Sequence, residues 1–332
     1  MEKRRLGKTG LDVSLLGFGC GAVGGLMVGG APADQERAVA RALELGINYF
    51  DTAAQYGSGR SEENLGRVIK SLKLDDIYVG TKVRLPPTEP GQIGAGITAA
   101  LEASLKRLQL ERVDLYQFHN PIVGMTAEGN YAVESMLEEV VPAFERLVQQ
   151  GKIGHYGITA VGDTASLLRV VDARAFATAQ VSFNLLNPSP GAAVPPGFPA
   201  QDYGSLLTHT KAANMGVINI RVLAGGALSG SAERHALASP PPDPIGSGSS
   251  YQLDLERARR FVPLVREGHA DSLVEAALRY VISSDLIATV LIGIATLEQF
   301  EIAARSINKG PLSPGALARV AEIQASFTGE TR

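Results

Sequence analysis

The sequence has no tryptophan, one cysteine (Cys20) and five histidines in 332 residues, and aromatic residues of all kinds make up only 6% of it. A lone cysteine cannot close an internal disulfide and is too few for a thiolate zinc site. Cys20 therefore reads as a small buried residue, and the scattered histidines show no metal-ligand spacing, so no metal is expected. Charge of one sign is also missing: 31 basic and 34 acidic residues are spread along the chain for a net charge of −3, with no block of like charges. That excludes a nucleic-acid arm and a polybasic membrane patch. No apolar run approaches the roughly eighteen residues of a membrane span. The basic residues of MEKRRLGKTGLDVSLLGFG are not followed by the apolar core of a secretory signal. A cytoplasmic location is the default expectation, with no nucleic-acid or membrane partner.

What is present is apolar runs of strand length, eight of them: VSLLGFG (13–19), NYFDTA (48–53), IYVGTKV (77–83), DLYQFH (114–119), HYGITA (155–160), TAQVSFN (178–184), VINIRVL (217–223) and ATVLIGI (288–294). Amphipathic stretches such as ADQERAVARALELG, SEENLGRVIKSL and IGAGITAALEASLKRL lie between them. Strict strand–helix alternation means parallel strands joined by crossovers, and strands apolar on both faces need helices outside them. The expected fold is α/β, a (β/α)8 TIM barrel spanning 1–332 as one domain. RRLGKTGLDVSL should form an N-terminal β-hairpin before the first barrel strand. Two irregular segments should overhang the C-terminal mouth: NPIVGMTAEGNY after the fourth strand, and the Gly-, Ser- and Pro-rich stretch from 224, with 224–253 as a lid.

Polar residues interrupt the apolar runs at one end. Asp51 lies near the end of the second run, Tyr56 in the turn after it, Lys82 near the end of the third, and His119 ends the fourth. Each has a bland explanation as a turn cap, a loop aromatic or a solvent-reaching stem. Together, at the C-terminal ends of consecutive barrel strands, they read as a catalytic set. A cation about 4 Å from a phenol is worth ~4 kcal/mol to the phenolate at an effective dielectric near 20, which moves a phenol that titrates near pH 10 towards neutrality. Such a group suits protonation of a carbonyl oxygen or deprotonation of an alcohol.

Two tempting motifs fail on context. Gly19, Gly21 and Gly24 spell G-x-G-x-x-G, but GLMVGGAPAD intervenes before any helical period, against a Rossmann turn. These glycines should instead allow close backbone approach, to a bound molecule and to the lid. LGKTG lacks the first glycine of a P-loop, that position being Glu2, and no helix follows.

The contexts FDTAAQYG, GTKV and QFHNP resemble those of the aldo-keto reductases, and GFGCGAVGG, GKIGHYGITA, AQVSFN, INIRVLAGGALSG and LIGIATLEQF extend the resemblance over nearly the whole chain. It implies NAD(P)-dependent interconversion of a carbonyl (aldehyde, ketone or sugar lactol/lactone) and an alcohol. Tyr56 would be the general acid or base, Lys82 its tuning cation and Asp51 the partner of Lys82. His119 would orient the substrate, with Asn120 beside it. Cofactor contacts would fall on Gly19, Cys20, Gly21, Asp51, Thr159, Gln180, Ile220, Arg221, Leu223, Gly225, Gly293, Thr296 and Gln299. Gln180 would serve the carboxamide, and Leu223 and Gly225 the pyrophosphate.

Several positions depart from the family pattern. Thr159 and Ala160 replace Ser-Asn, Ile220 replaces the aromatic that stacks on the nicotinamide, and Arg221 beside it is unusual. Arg221 could meet a phosphate, the substrate or a rim carboxylate. After the eighth strand, Thr296, Glu298, Gln299 and Glu301 precede the first basic residue, Arg305. An acidic group there would bond a ribose and repel a 2′-phosphate, which favours NAD over NADP. Lys82 also admits a Schiff-base lyase or aldolase, and the scaffold admits a nucleotide-binding regulatory protein. A pocket built from 20–27, 120–131 and 224–253 suits a small polar substrate such as a sugar or short aldehyde.

Overall fold

A computed structural model describes residues 1–231, 233–327 and 329; residue 232 of the expected lid lies outside the described residues. The chain opens with an antiparallel hairpin, Lys3–Arg5 (β1) against Asp12–Ser14 (β2). Strand Leu16–Gly19 (β3) then enters a closed parallel barrel. The first barrel strand was expected to start at 13, but Val13 and Ser14 pair with Arg4 and Lys3 in the hairpin. Both segments are apolar and extended, so periodicity alone could not divide them.

The other seven barrel strands are Tyr49–Asp51 (β4), Tyr78–Val83 (β5), Val113–Phe118 (β6), Ile153–Thr159 (β9), Thr178–Ser182 (β10), Gly216–Ile220 (β11) and Thr289–Gly293 (β12). β12 closes the barrel on β3, with Val290 opposite Leu16 and Gly293 opposite Gly19. Segment 120–131, expected to be irregular, carries a short ladder of Ile122–Val123 (β7) with Tyr131–Ala132 (β8). Helices surround the barrel as the periods predicted. Pro32–Glu44 starts with proline in its first turn, where the missing N–H costs nothing, and buries Ala38, Val39 and Ala42. Thr164–Asp172 is capped by Asp163, which accepts from Ser166 N at 2.8 Å.

The hairpin seals the N-terminal end. Leu6 and Val13 are fully buried in a cluster with Leu115, Ile218, Ala288 and Leu291. Gly7, at φ +50°, lies so close to the β11 strand that a Cβ would sit 2.1 Å from Gly216 N. Arg4 donates to the backbone carbonyls of Ile287 at 2.9 Å, Ser284 at 3.1 Å and Ile282 at 3.4 Å, meeting the orphan acceptors after helix Leu273–Ile282. Within the barrel, Tyr49 lies beside Gly17 and Gly80. A Cβ at Gly80 would come within 2.6 Å of the Tyr49 hydroxyl. Glycines on both neighbouring strands thus make room for a phenol that reaches Asp51.

At the other end, segment 224–253 is a strap pinned at several points. Ile245 O accepts from Ser182 Oγ at 3.1 Å, Gly246 O from Asn187 Nδ2 at 2.7 Å, and Asp243 O from Arg221 Nη1 at 3.1 Å. Its middle rests on Gly25, whose φ is +82° and whose missing Cβ would lie 1.9 Å from Leu237 O. Gly25→Ala should therefore lift the strap, because alanine in that conformation costs about 1 kcal/mol and the clash adds to it. Hydrogen exchange of 233–241 is expected to accelerate while the barrel strands keep wild-type protection; unchanged exchange would show that the strap is not seated on Gly25.

Candidate active site

The strand ends bring together what the sequence scatters. Asp51 ends β4, Lys82 lies one residue before the end of β5, His119 follows β6 and Tyr56 sits in the turn after β4. Lys82 is 1% exposed and Asp51 3%. The ammonium donates to Asp51 Oδ1, to Thr52 O at 2.7 Å and to Tyr56 Oη at 3.2 Å. Its three hydrogens are therefore accounted for. It also lies 4.7 Å from the centroid of the Tyr56 ring. Asp51 Oδ2 accepts from Gln180 Nε2 at 2.7 Å and from Tyr49 Oη at 3.1 Å. Thr159 Oγ1 completes the chain by donating to Gln180 Oε1 at 3.4 Å.

Burial pulls the Lys82 ammonium down, but Asp51 and Tyr56 more than offset it and hold the group above the ordinary lysine value. Lys82 therefore stays charged. Burial pushes the Asp51 carboxyl up against the pull of Lys82. His119 behaves in the opposite sense to Lys82. Burial, and then the charges of Lys82 and Arg84, hold its imidazole well below the ordinary histidine range, so the ring is neutral at pH 7. Its backbone N–H donates to Val83 O at 2.8 Å. The ring stands edge-on to Tyr56 with centroids 6.2 Å apart, and the amide nitrogen of Gln55 meets Nδ1.

Around this centre, Gly21 adjoins the Tyr56 ring, which a Cβ would approach to 3.5 Å. Ile220 and Arg221 are half-buried at the end of β11. Arg221 takes φ +58°, held by Asn184 Nδ2 donating to its carbonyl at 2.8 Å. Its guanidinium, half-buried and drawn below the ordinary arginine value chiefly by burial, faces Tyr56, Asp243 and Asp254. No rim carboxylate pairs with it among the described residues; it bonds the strap at Asp243 O. Leu223 and Gly225 begin the strap, with Gly225 at φ +68°, and Gly293 is exposed at the end of β12.

Other expected site residues are occupied elsewhere. Asn120 is 1% exposed and pins two loops, accepting from Leu85 N and donating to Leu85 O and Gly129 O, so it offers no free amide hydrogen to a substrate. Cys20 is wholly buried, which pushes its thiol far up; its N–H donates to Asp51 O and its carbonyl accepts from Ser61 Oγ. Thr296 caps helix Leu297–Asn308, and Gln299 Oε1 accepts from Ala295 N at 2.8 Å. Glu301 pairs with Arg41 at 2.8 Å. Gly19 and Gly24 are needed for close packing on β12 and its loop, since a Cβ would meet Ile292 O at 2.6 Å and Ile294 N at 2.0 Å respectively. Close approach to the strap falls on Gly25 and Gly29, both against Leu237. Tyr49 and Gln55 were not anticipated, although strand alternation places Tyr49 on the same face as Asp51. Among the described residues no group of three His, Cys, Asp or Glu side chains could hold a metal, and no helix is long and apolar enough to cross a membrane.

A closed parallel barrel with a buried Lys–Asp pair under a tyrosine and a histidine at its C-terminal mouth defines the class of protein. The sequence model of the aldo/keto reductase family matches residues 15–325, and the chain belongs to that family of oxidoreductases of carbonyl and alcohol groups. It is 29% identical over 305 residues to the L-galactose dehydrogenase of Arabidopsis thaliana, covering 91% of this chain and 86% of the relative. It is 27% identical to the L-glyceraldehyde 3-phosphate reductase of Escherichia coli strain K12, covering 96% and 91%. The holo form of an aldo-keto reductase from Bacillus halodurans superposes with a TM-score of 0.71 at 26% identity, over 100% of this chain and 98% of that one.

The depressed imidazole has a consequence for stability. In the unfolded chain His119 takes up a proton near pH 6.5, whereas in the fold it does so only at much lower pH. The unfolded state then binds more protons, and stability falls as pH drops through ~6.5, by up to about 1.4 kcal/mol per pH unit. The urea midpoint of His119→Asn should fall less between pH 7 and pH 5 than that of the wild type. Parallel declines would show that the ring titrates normally.

Proposed function

We propose that the chain is an NAD(P)-dependent oxidoreductase that interconverts a carbonyl and an alcohol, with Tyr56 as the group that gives or takes the proton. The observation that carries this reading is the Lys82 ammonium, held charged by Asp51 with its third hydrogen on Tyr56 Oη. When the phenol gives up its proton the positive charge is already in place, so no reorganisation is needed at that moment. Lys82 cannot itself move toward neutrality without uncovering the buried carboxylate of Asp51. His119, neutral and edge-on to Tyr56, orients the substrate oxygen by a hydrogen bond and leaves the proton transfer to the phenol.

The residues fit a nicotinamide cofactor. Gly21 leaves a space beside Tyr56 that a Cβ would fill. Gln180, already anchored by Asp51 and Thr159, has a second amide hydrogen for a carboxamide, and Arg221 carries positive charge at the start of the strap. A bound nicotinamide would supply or accept the hydride. Ile220 would pack its ring. At the adenosine end the first helical turn holds Glu298 and no basic residue, and Arg305 lies beside Glu301. That favours NAD, and with it the oxidative direction on a sugar or another small polar alcohol. The activities named for the two relatives, on L-galactose and L-glyceraldehyde 3-phosphate, support a substrate of that size.

The state of Lys82 counts against the lyase reading, since an ammonium with all three hydrogens bonded is no nucleophile. Borohydride should trap no substrate on it. Fluorescence titration should show NADH binding at least about tenfold more tightly than NADPH, with Glu298→Arg narrowing the gap through the charge it reverses. Tyr56→Phe should bind nucleotide as the wild type does while losing about 10²- to 10⁴-fold in kcat on an aldehyde and sugar panel. Full turnover by Tyr56→Phe, or no nucleotide binding by the wild type, would sink the proposal.

A further inference from the structure

Two phenols flank the Lys82–Asp51 pair. Tyr56 meets the ammonium at the mouth of the barrel; Tyr49, wholly buried below, meets the carboxylate, its hydroxyl donating to Asp51 Oδ2 at 3.1 Å. We propose that Tyr49 is a positioning residue for the reaction: its hydroxyl fixes the orientation of the Asp51 carboxylate, and through it the Lys82 ammonium that faces Tyr56. The direction of the bond follows from the donor inventory. An ionised carboxylate can only accept, so the phenol must donate. Burial, and then the charge of Asp51, push the Tyr49 phenol well above the ordinary tyrosine range, so its proton stays in place at neutral pH.

The ring is held so that the hydroxyl has one place to go. It packs in the cluster of Leu6, Val13, Leu115 and Ile218 at the sealed end of the barrel. Gly17 and Gly80 border it so closely that a Cβ would come within 3.2 Å of its ring and 2.6 Å of its hydroxyl respectively. The other donor to Oδ2 is Gln180 Nε2, at 2.7 Å, and the proposed function gives Gln180 a second duty toward the nicotinamide. Buried beneath the pair, Tyr49 is the donor that does not also serve the mouth. The other titratable groups around the pair are Cys20 after β3, Arg84 beyond β5 and His119 after β6, with Arg221 at the end of β11 facing Tyr56. Burial keeps the thiol uncharged, and burial with the nearby cations does the same for the imidazole. From β9 and β10 come Thr159 and Gln180, which carry no charge. The placement of the Lys82 charge therefore turns on Asp51, and that of Asp51 on its donors.

The inference deepens the oxidoreductase reading and rests on it for its catalytic consequence, but the hold on Lys82 can be read without turnover. Tyr49→Phe keeps the ring and removes the donor. With the carboxylate free to turn, kcat should fall about tenfold, the effect of losing one hydrogen bond to a charged group. KM and nucleotide affinity should stay at their wild-type values. The basic limb of the kcat profile should move to higher pH by up to about one unit, since the cation facing Tyr56 is less firmly placed. In nitrogen-15 NMR, the ammonium signal of Lys82, assigned by its loss in Lys82→Met, should exchange with water faster in Tyr49→Phe, while the backbone amides of β5 keep the wild-type rate. Gly80→Ala, which drives a methyl group against the Tyr49 hydroxyl, should show the same changes in a protein that retains the phenol, and should add little to them in the Tyr49→Phe background. Wild-type kcat, pH profile and ammonium exchange in Tyr49→Phe, with only a lower unfolding temperature, would overturn the proposal and leave the hydroxyl a packing feature. Lack of turnover by the wild type would strike at the oxidoreductase reading instead, while the ammonium exchange would still decide whether Tyr49 holds the pair.

Discussion

The site depends on one buried ion pair. Placing Lys82 and Asp51 inside a barrel costs several kcal/mol per ion unless further hydrogen bonds satisfy both groups. Those bonds come from Thr52, Tyr56, Tyr49 and Gln180, so the turn after β4 and one further strand, β10, are drawn in. The requirement spreads into the packing below. Tyr49 can reach Asp51 because Gly80 leaves space for its hydroxyl, and Gly17 does the same for its ring. Glycines that look dispensable in a strand are part of what keeps the ion pair satisfied.

Within a few ångströms the same frame sets two groups in opposite states. Lys82 is buried yet charged because a carboxylate faces it; His119 is neutral because burial opposes its charge and the positive groups near it add to that. One cation does both jobs, holding charge ready beside Tyr56 and discouraging a second proton on the imidazole. On the proposed function, proton transfer and substrate orientation would then fall to two side chains that do not compete for the same proton.

Much of this was legible in the sequence. Periodicity found the eight strands, and the ends of three of them located the tetrad, because in a parallel barrel every strand end points to the same mouth. What could not be read was how polar side chains divide between ligand and scaffold. Asn120 and Thr296 have chemistry that suits a small molecule as well as a loop or a helix cap, and only the fold shows that they bond the backbone. The spacing of Thr296 and Gln299 is that of a capping box, a local signal for the bonds both make at the start of their helix. The boundary at Val13 was hidden because hairpin and barrel strand present the same alternation. Gln55 carries no signal until the partner brought to it by β6 is known.

The hairpin that closes the N-terminal end makes the ends of the chain interdependent. Leu6 packs on strand β11, Arg4 holds carbonyls at 282–287, and β3 finds its second partner in β12. None of these contacts can form locally. Each must wait until some 200 to 280 intervening residues have been brought into place, and the loop-closure entropy is met before any reward arrives. The seam between β3 and β12 is therefore a late step in assembly. Until it closes, two strand edges lie open to pairing with other chains, so protein concentration during refolding should bear on yield more than any property of the finished active site.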